Sequence, residues 1–163
     1  MQDIVSTVKG IDVVFGAPRC VNNALYNSAI WARDGEILGV YDKYTLPNYA
    51  VFDEKRYFTA GNRAVVISVK GISFGLSICE DIWLEQPILE AKQQAAEAML
   101  ILNASPYHSG KHSERLDNLK QRNSETGLPL FNINLVGGQD ELVFDGESLA
   151  MDASAELVGR GPD

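Results

Sequence analysis

Apolar and polar positions follow two different periods along this chain, and the switches between them divide it into elements. Residues 11–16 form a β-branched apolar run ending at Ala17-Pro18, which predicts a buried strand. Residues 23–32 alternate loosely, Arg33-Asp34-Gly35 carries turn chemistry, and residues 36–41 resume as strand, so this stretch predicts a hairpin. Residues 42–61 contain Pro47, Asn48, several aromatics and close charges, with no sustained period. Loops of that length in compact domains tend to be functional. A second hairpin pairs residues 64–69 with 72–78 across Lys70-Gly71. Pro87 opens a helix over residues 88–99, and residues 99–103 (MLILN) form a short apolar strand. A polar helix begins near Ser113 and stops at Gly127, which suits a C-terminal cap. Residues 130–136 predict another buried strand broken by Gly137-Gly138, and residues 142–157 read as strand, turn, strand.

Hairpins followed by strand–helix–strand–helix–strand imply an α/β fold, a mixed sheet covered by helices on at least one face. There is no internal repeat, low-complexity segment or linker, so residues 1–163 are expected to form a single domain. No apolar run approaches the roughly 18 residues of a membrane helix. The first ten residues lack the apolar core and cleavage site of a secretory signal, and a cytoplasmic location is the default. With 22 acidic against 14 basic residues the net charge is −8, which disfavours nucleic acid and anionic membranes as partners. The Lys and Arg residues of segment 111–122 read as a solvated helix face, because Glu114, Asp117 and Glu125 are interleaved with them.

Two cysteines are present, Cys20 and Cys79. Cys20 follows Pro18-Arg19 at a strand end and reads as structural. Cys79 lies where the apolar arm ISFGLSI gives way to Glu80-Asp81-Ile82-Trp83, just before a helix. A strand-to-helix turn holds a nucleophile on a rigid element and aims backbone N–H groups at a developing oxyanion. A free thiol titrates near about 8.5, so Cys79 would need a nearby cation or base, and Glu80 and Asp81 push the wrong way unless they point elsewhere. On residues alone, a nucleophile and a buried structural cysteine fit equally. His108 and His112 lie in a polar loop and at a helix start, where exposed histidines are common. No G-x-S-x-G occurs, and no histidine–cysteine spacing suits a zinc site, so no metal is expected. Lys43 is the other cation, although by itself it reads as a snorkelling surface lysine.

Four blocks together resemble a known family. They are Tyr41-Asp42-Lys43 with Leu46-Pro47-Asn48-Tyr49, Val51-Phe52-Asp53-Glu54 and Gly61; Ile78-Cys79-Glu80-Asp81-Ile82-Trp83; Asn103-Ala104-Ser105-Pro106-Tyr107 with Gly110-Lys111 and Arg115; and the run from Val136-Gly137-Gly138 through Asp145-Gly146. In this order they resemble the glutamine-hydrolysing domains attached to NAD synthetases, within the nitrilase superfamily of carbon-nitrogen hydrolases.

The resemblance implies a nitrilase-like α-β-β-α sandwich and a Glu–Lys–Cys triad. By that likeness Cys79 is the nucleophile on the glutamine side-chain amide, and Lys43 favours the thiolate and stabilises the oxyanion. Glu54 is the second glutamate, which braces the lysine. Tyr49, Phe52, Glu80, Trp83 and Ser105 would line the glutamine pocket, with Glu80 taking the α-ammonium group; Phe52 and Trp83 read equally as core aromatics. The family's general-base glutamate lies on an early strand–helix–strand ahead of the region matching residues 11–16. The domain is therefore expected to be partial, missing that first segment, with little or no activity alone, since general acid–base help is worth about 10²–10⁴-fold. No cofactor is expected in this domain. No Ser-Gly-Gly-x-Asp-Ser loop occurs, so ATP and Mg are expected only for a synthetase domain absent from this chain. Expected partners are glutamine, that synthetase domain, and a second copy of the chain in a homo-oligomer. The competing expectations are a catalytically impaired scaffold and an amidase for another amide or nitrile.

Overall fold

A computed structural model describes residues 1–162. It opens with a short helix α1 (Gln2–Thr7), followed by strands β1 (Asp12–Val21), β2 (Ala24–Arg33) and β3 (Glu36–Asp42). After the long loop, interrupted by one turn of helix α2 (Glu54–Tyr57), come β4 (Val66–Val69) and β5 (Ile72–Ile78). A 3₁₀ turn (Cys79–Trp83) leads into α3 (Gln86–Gln93), β6 (Ala98–Asn103), α4 (Lys111–Thr126) and β7 (Leu130–Asn134). The last described strands are β8 (Val136–Gln139), β9 (Leu142–Asp145), β10 (Leu149–Met151) and β11 (Leu157–Arg160).

These elements make an antiparallel sheet β1-β2-β3, a mixed sheet ordered β11-β10-β7-β6-β5-β4, and a small β8-β9 ribbon. Within the mixed sheet β5, β6 and β7 run parallel, each pair joined by a helical crossover. The alternation of side chains along the strands separates two faces. Met99 and Ile101 of β6 pack with Ile88 and Ala91 of α3 and Leu119 of α4. Leu76 and Ile78 of β5, with half-buried Leu100 and Leu102, pack instead against Ala29, Trp31 and Tyr41 of the antiparallel sheet. Val5 and Val8 then cover the far side of that sheet at Ala32, Val13 and Phe15. The layers therefore run helix, sheet, sheet, helix, the α-β-β-α sandwich. Close approach of α3 depends on Gly75, where a Cβ would lie 2.5 Å from Met99 Sδ and 2.9 Å from Ala91 Cβ.

Several sequence expectations need correction. β1 does not stop at Ala17-Pro18 but continues to Val21, because it pairs only with β2 among the described strands and an edge strand tolerates proline. The helix opened by Pro87 ends at Gln93, not residue 99; Ala95 takes a positive φ of 64°, and residues 98–99 belong to β6. The strand expected over residues 130–136 ends at Asn134, so Gly137-Gly138 lies inside the next strand, β8; residues 142–157 hold β9, a turn and β10 as expected, and β11 begins at Leu157. Arg115 and Arg122 of α4 are buried in ion pairs and do not belong to its solvated face, where Glu114, Asp117 and Lys120 lie. No helix is long and apolar enough to cross a membrane.

Candidate active site

The carboxyl ends of three parallel strands converge at one edge of the mixed sheet, where ligands of open α/β sheets usually bind. β5 delivers Cys79 there, β6 ends in Asn103 and β7 in Asn134. Cys79 has a φ of 45°, in the left-handed region that costs a side-chain-bearing residue about 1–2 kcal/mol. Such strain is characteristic of functional turns.

Lys43 reaches the same place from the other sheet, one residue beyond β3. Its N–H donates to the Asn27 carbonyl and its own carbonyl accepts from Gly61 N–H, both at 2.8 Å. A Cβ at Gly61 would fall 2.0 Å from the Asp42 carbonyl oxygen, so only glycine lets the loop close over this backbone. Lys43 is 2 % exposed, which corrects its reading as a snorkelling surface lysine. Its Nζ donates to Glu54 Oε1 at 2.6 Å. Glu54 is placed by the first residue of α2, whose N–H donates to the Pro47 carbonyl.

Cys79, Lys43, Glu54 and Phe52 line one cavity of about 600 Å³, together with Asn103 and Asn134. That volume falls within the range of about 300–1,000 Å³ common for small-molecule sites. The second carboxylate oxygen of Glu54 is buried without a hydrogen-bond partner among the described residues. Neither histidine lines a cavity with Cys79; His112 is paired with Glu147 and His108 with Glu114.

Burial pushes the Cys79 thiol above its ordinary value, and the Lys43 ammonium pulls it back. Glu80, Glu54 and Asp81 act in the same direction as burial. Among the influences on the sulfur, Lys43 alone favours the thiolate, while burial and the three carboxylates oppose it. Glu80 points to the rim, where it accepts a 2.7 Å hydrogen bond from the Tyr49 hydroxyl. Burial, then this bond, pushes Tyr49 up to about 12. The Tyr49 ring meets Phe52 edge-on, with centroids 5.9 Å apart.

On the other side of Cys79, Trp83 and Ser105 line a smaller adjoining hollow with Lys111 and Arg115. Trp83 is not a core aromatic: it is exposed, and Lys111 Nζ sits 4.7 Å from its ring centroid. Phe52 is half-buried at the cavity wall. Ser105 N–H donates to Asn134 Oδ1, and the Ser105 carbonyl accepts from Arg115, which forks onto Asp145 at 2.8 and 3.0 Å. The other seven sequence-selected residues thus surround Cys79 or form the rim beside it. Sequence reasoning missed Asn103, Asn134 and Asp81. The asparagines had a visible signal, as the polar residue closing each apolar run (MLILN, LFNIN). Cys20 is exposed on β1 and forms no disulfide.

The carbon-nitrogen hydrolase family model matches residues 5–163. The chain is 45 % identical over 157 residues to the glutamine-dependent NAD(+) synthetase of Xanthomonas campestris, covering 94 % of this chain and 28 % of that protein. A second relative with the same name, from Thermotoga maritima, is 44 % identical, covering 93 % of this chain and 27 % of its own. The chain thus spans little more than a quarter of these relatives. The solved glutamine-dependent NAD+ synthetase of Acinetobacter baumannii, in complex with ADP, superposes with a TM-score of 0.94 at 40 % identity, over 99 % of this chain and 31 % of that one. An amidase of the nitrilase superfamily from Nesterenkonia superposes at 0.84 with 26 % identity, over 94 % of this chain and 58 % of that one. Another structure of that amidase carries the acetamide moiety of fluoroacetamide added covalently at its active-site cysteine. This chain belongs to the carbon-nitrogen hydrolase family and has the nitrilase-superfamily fold.

Proposed function

We propose that this chain hydrolyses the side-chain amide of glutamine as the ammonia-supplying part of a glutamine-dependent NAD synthetase. The observation that carries the reading is the meeting of Cys79, Lys43 and Glu54 on a single cavity. Cys79 Sγ bonds to the amide carbon, the C–N bond breaks, and the thiol proton leaves on ammonia. Water then cleaves the γ-glutamyl thioester, returning a proton to sulfur and releasing glutamate. Lys43 and the N–H groups of the Cys79 turn would stabilise the tetrahedral oxyanion, a contribution commonly worth about 3–4 kcal/mol per donor. Glu54 holds the lysine, and its unpaired oxygen is available to accept an N–H of the substrate amide. The covalent adduct at the cysteine of the Nesterenkonia amidase supports the nucleophile assignment.

Two opposite charges near the site favour an amino-acid amide over a simple one. Glu80, at the rim beside Tyr49, suits an α-ammonium group, and Lys111, beside Trp83 and Ser105, suits an α-carboxylate. The ammonia would amidate deamido-NAD in a synthetase domain using ATP and Mg, the part of the relatives that this chain does not span. The test, made in the full-length protein, compares ammonia release from glutamine and from short aliphatic amides, with Glu80→Gln alongside. Glutamine should be preferred, and Glu80→Gln should raise KM by about tenfold, the loss of one charge-assisted contact of roughly 1.5 kcal/mol. Equal turnover of propionamide and glutamine would replace this reading with a general amidase.

A further inference from the structure

Asp81 is fully buried, two residues past Cys79, and lines neither cavity that holds the sulfur. A carboxylate withdrawn from water is costly unless donors replace its hydration. Three donors do so here. The Tyr41 hydroxyl donates to Oδ2 at 2.8 Å, Thr45 N–H to Oδ1 at 2.6 Å, and Ile78 N–H to Oδ2 at 3.1 Å. Their places in the chain matter. Tyr41 and Thr45 stand two residues before and two after Lys43, while Ile78 immediately precedes Cys79. One side chain therefore ties the lysine-bearing segment of the antiparallel sheet to the cysteine-bearing turn of the mixed sheet. It also explains why a carboxylate sits so near the sulfur despite opposing ionisation there.

We infer that Asp81 is a positioning residue, which fixes the Lys43 ammonium relative to Cys79 by bridging the two backbone segments that carry them. The inference rests on the proposed pairing of those two residues. An ionised carboxylate accepts from all three partners at once. An asparagine offers one acceptor oxygen and turns an NH₂ toward at least one donor. A displacement of about 1 Å at a reacting centre can cost about 10²-fold in rate.

The deciding experiment is the pH dependence of Cys79 alkylation by iodoacetamide, followed by mass spectrometry of the Cys79 peptide so that exposed Cys20 does not contribute. It compares the intact protein with Asp81→Asn and Tyr41→Phe. Removing a nearby negative charge, with nothing else changed, moves the thiol midpoint down. Letting Lys43 drift away moves it up. We expect an upward shift in Asp81→Asn and a smaller one in Tyr41→Phe, which keeps the charge and loses one donor. In the full-length protein we also expect a 10- to 100-fold fall in kcat in Asp81→Asn, with KM for glutamine within about threefold, since Glu80 and Ser105 are unchanged. A midpoint that stays put or falls in both variants overturns the positioning role. Should Asp81→Asn fail to fold, Tyr41→Phe alone decides by the same criterion. The alkylation midpoint is read without substrate, so it separates failure of this inference from failure of the glutaminase reading, which would instead appear as turnover surviving the loss of Cys79.

Discussion

Lys43 Nζ lies 2.6 Å from Glu54 Oε1, yet only the glutamate retains some contact with solvent: the lysine side chain is 2 % exposed and the glutamate side chain 17 %. The pair is therefore asymmetric. Removing the carboxylate strands a charge with no access to water, whereas removing the ammonium leaves a carboxylate that can recover part of its hydration. Glu54→Gln is expected to cost about 3 kcal/mol of stability, and Lys43→Met clearly less. The double variant Lys43→Met/Glu54→Gln should be more stable than Glu54→Gln alone, a coupling that a double-mutant cycle in urea measures. If the two single variants prove equal and additive, the pair carries no such burial asymmetry.

The backbone at Cys79 offers a second test. Glycine ordinarily lowers stability relative to alanine by about 0.5–1 kcal/mol through its chain entropy. At φ 45° the order should invert, because alanine keeps the Cβ penalty and glycine does not. Cys79→Gly is predicted to be more stable than Cys79→Ala by about 1 kcal/mol in chemical denaturation. An alanine variant as stable as the glycine variant would remove strain from the description of this turn.

Arg115 and Asp145 supply a pH dependence with a defined sign. The Arg115 guanidinium holds the Asp145 carboxyl below the usual carboxylate range. A depressed folded-state pKa contributes stability that is fully present above the unfolded value, near 3.9, and is lost as pH falls through the folded one. Asp145→Asn should therefore cost about 1.5–3 kcal/mol at pH 7, because Arg115 keeps only its longer ion pair with Glu147, and the gap from the parent should close below about pH 4. Urea midpoints from pH 7 to pH 3 provide the measurement. A gap that stays constant across that window would assign the effect to packing. Because Arg115 also holds the Ser105 carbonyl, Asp145→Asn should weaken glutamine binding as well.

What the sequence made legible follows from the range of each signal. The strand-to-helix turn at Cys79 is legible because an apolar arm, a cysteine and a helix start lie within about fifteen residues, but the choice of nucleophile over structural cysteine came from the resemblance. The α-β-β-α layering came from the resemblance, and the strand periods only narrowed it to an α/β fold. Lys43 reads as an ordinary surface lysine because its burial comes from Glu54, Asn27 and Gly61, at sequence separations that no local period reports. Arg115 misleads for the same reason. Its helical neighbours are acidic and solvated, while its partners Asp145 and Glu147 lie some 30 residues away in chain. Asp81 looked like an obstacle to thiolate formation, and its three donors are visible only once the two sheets are packed together. The run of β1 through Pro18 depends likewise on β1 being an edge, a property of the sheet and not of the strand.

The proposed chemistry places a γ-glutamyl thioester on Cys79. The direct measurement, made in the full-length protein, is ammonia release from glutamine by the parent and by Cys79→Ala, with peptide mass spectrometry after exposure to an electrophilic glutamine analogue. Turnover should vanish in the variant, and the analogue should label the parent at Cys79 and at no other residue. Undiminished turnover in Cys79→Ala, or labelling that falls elsewhere, would contradict it.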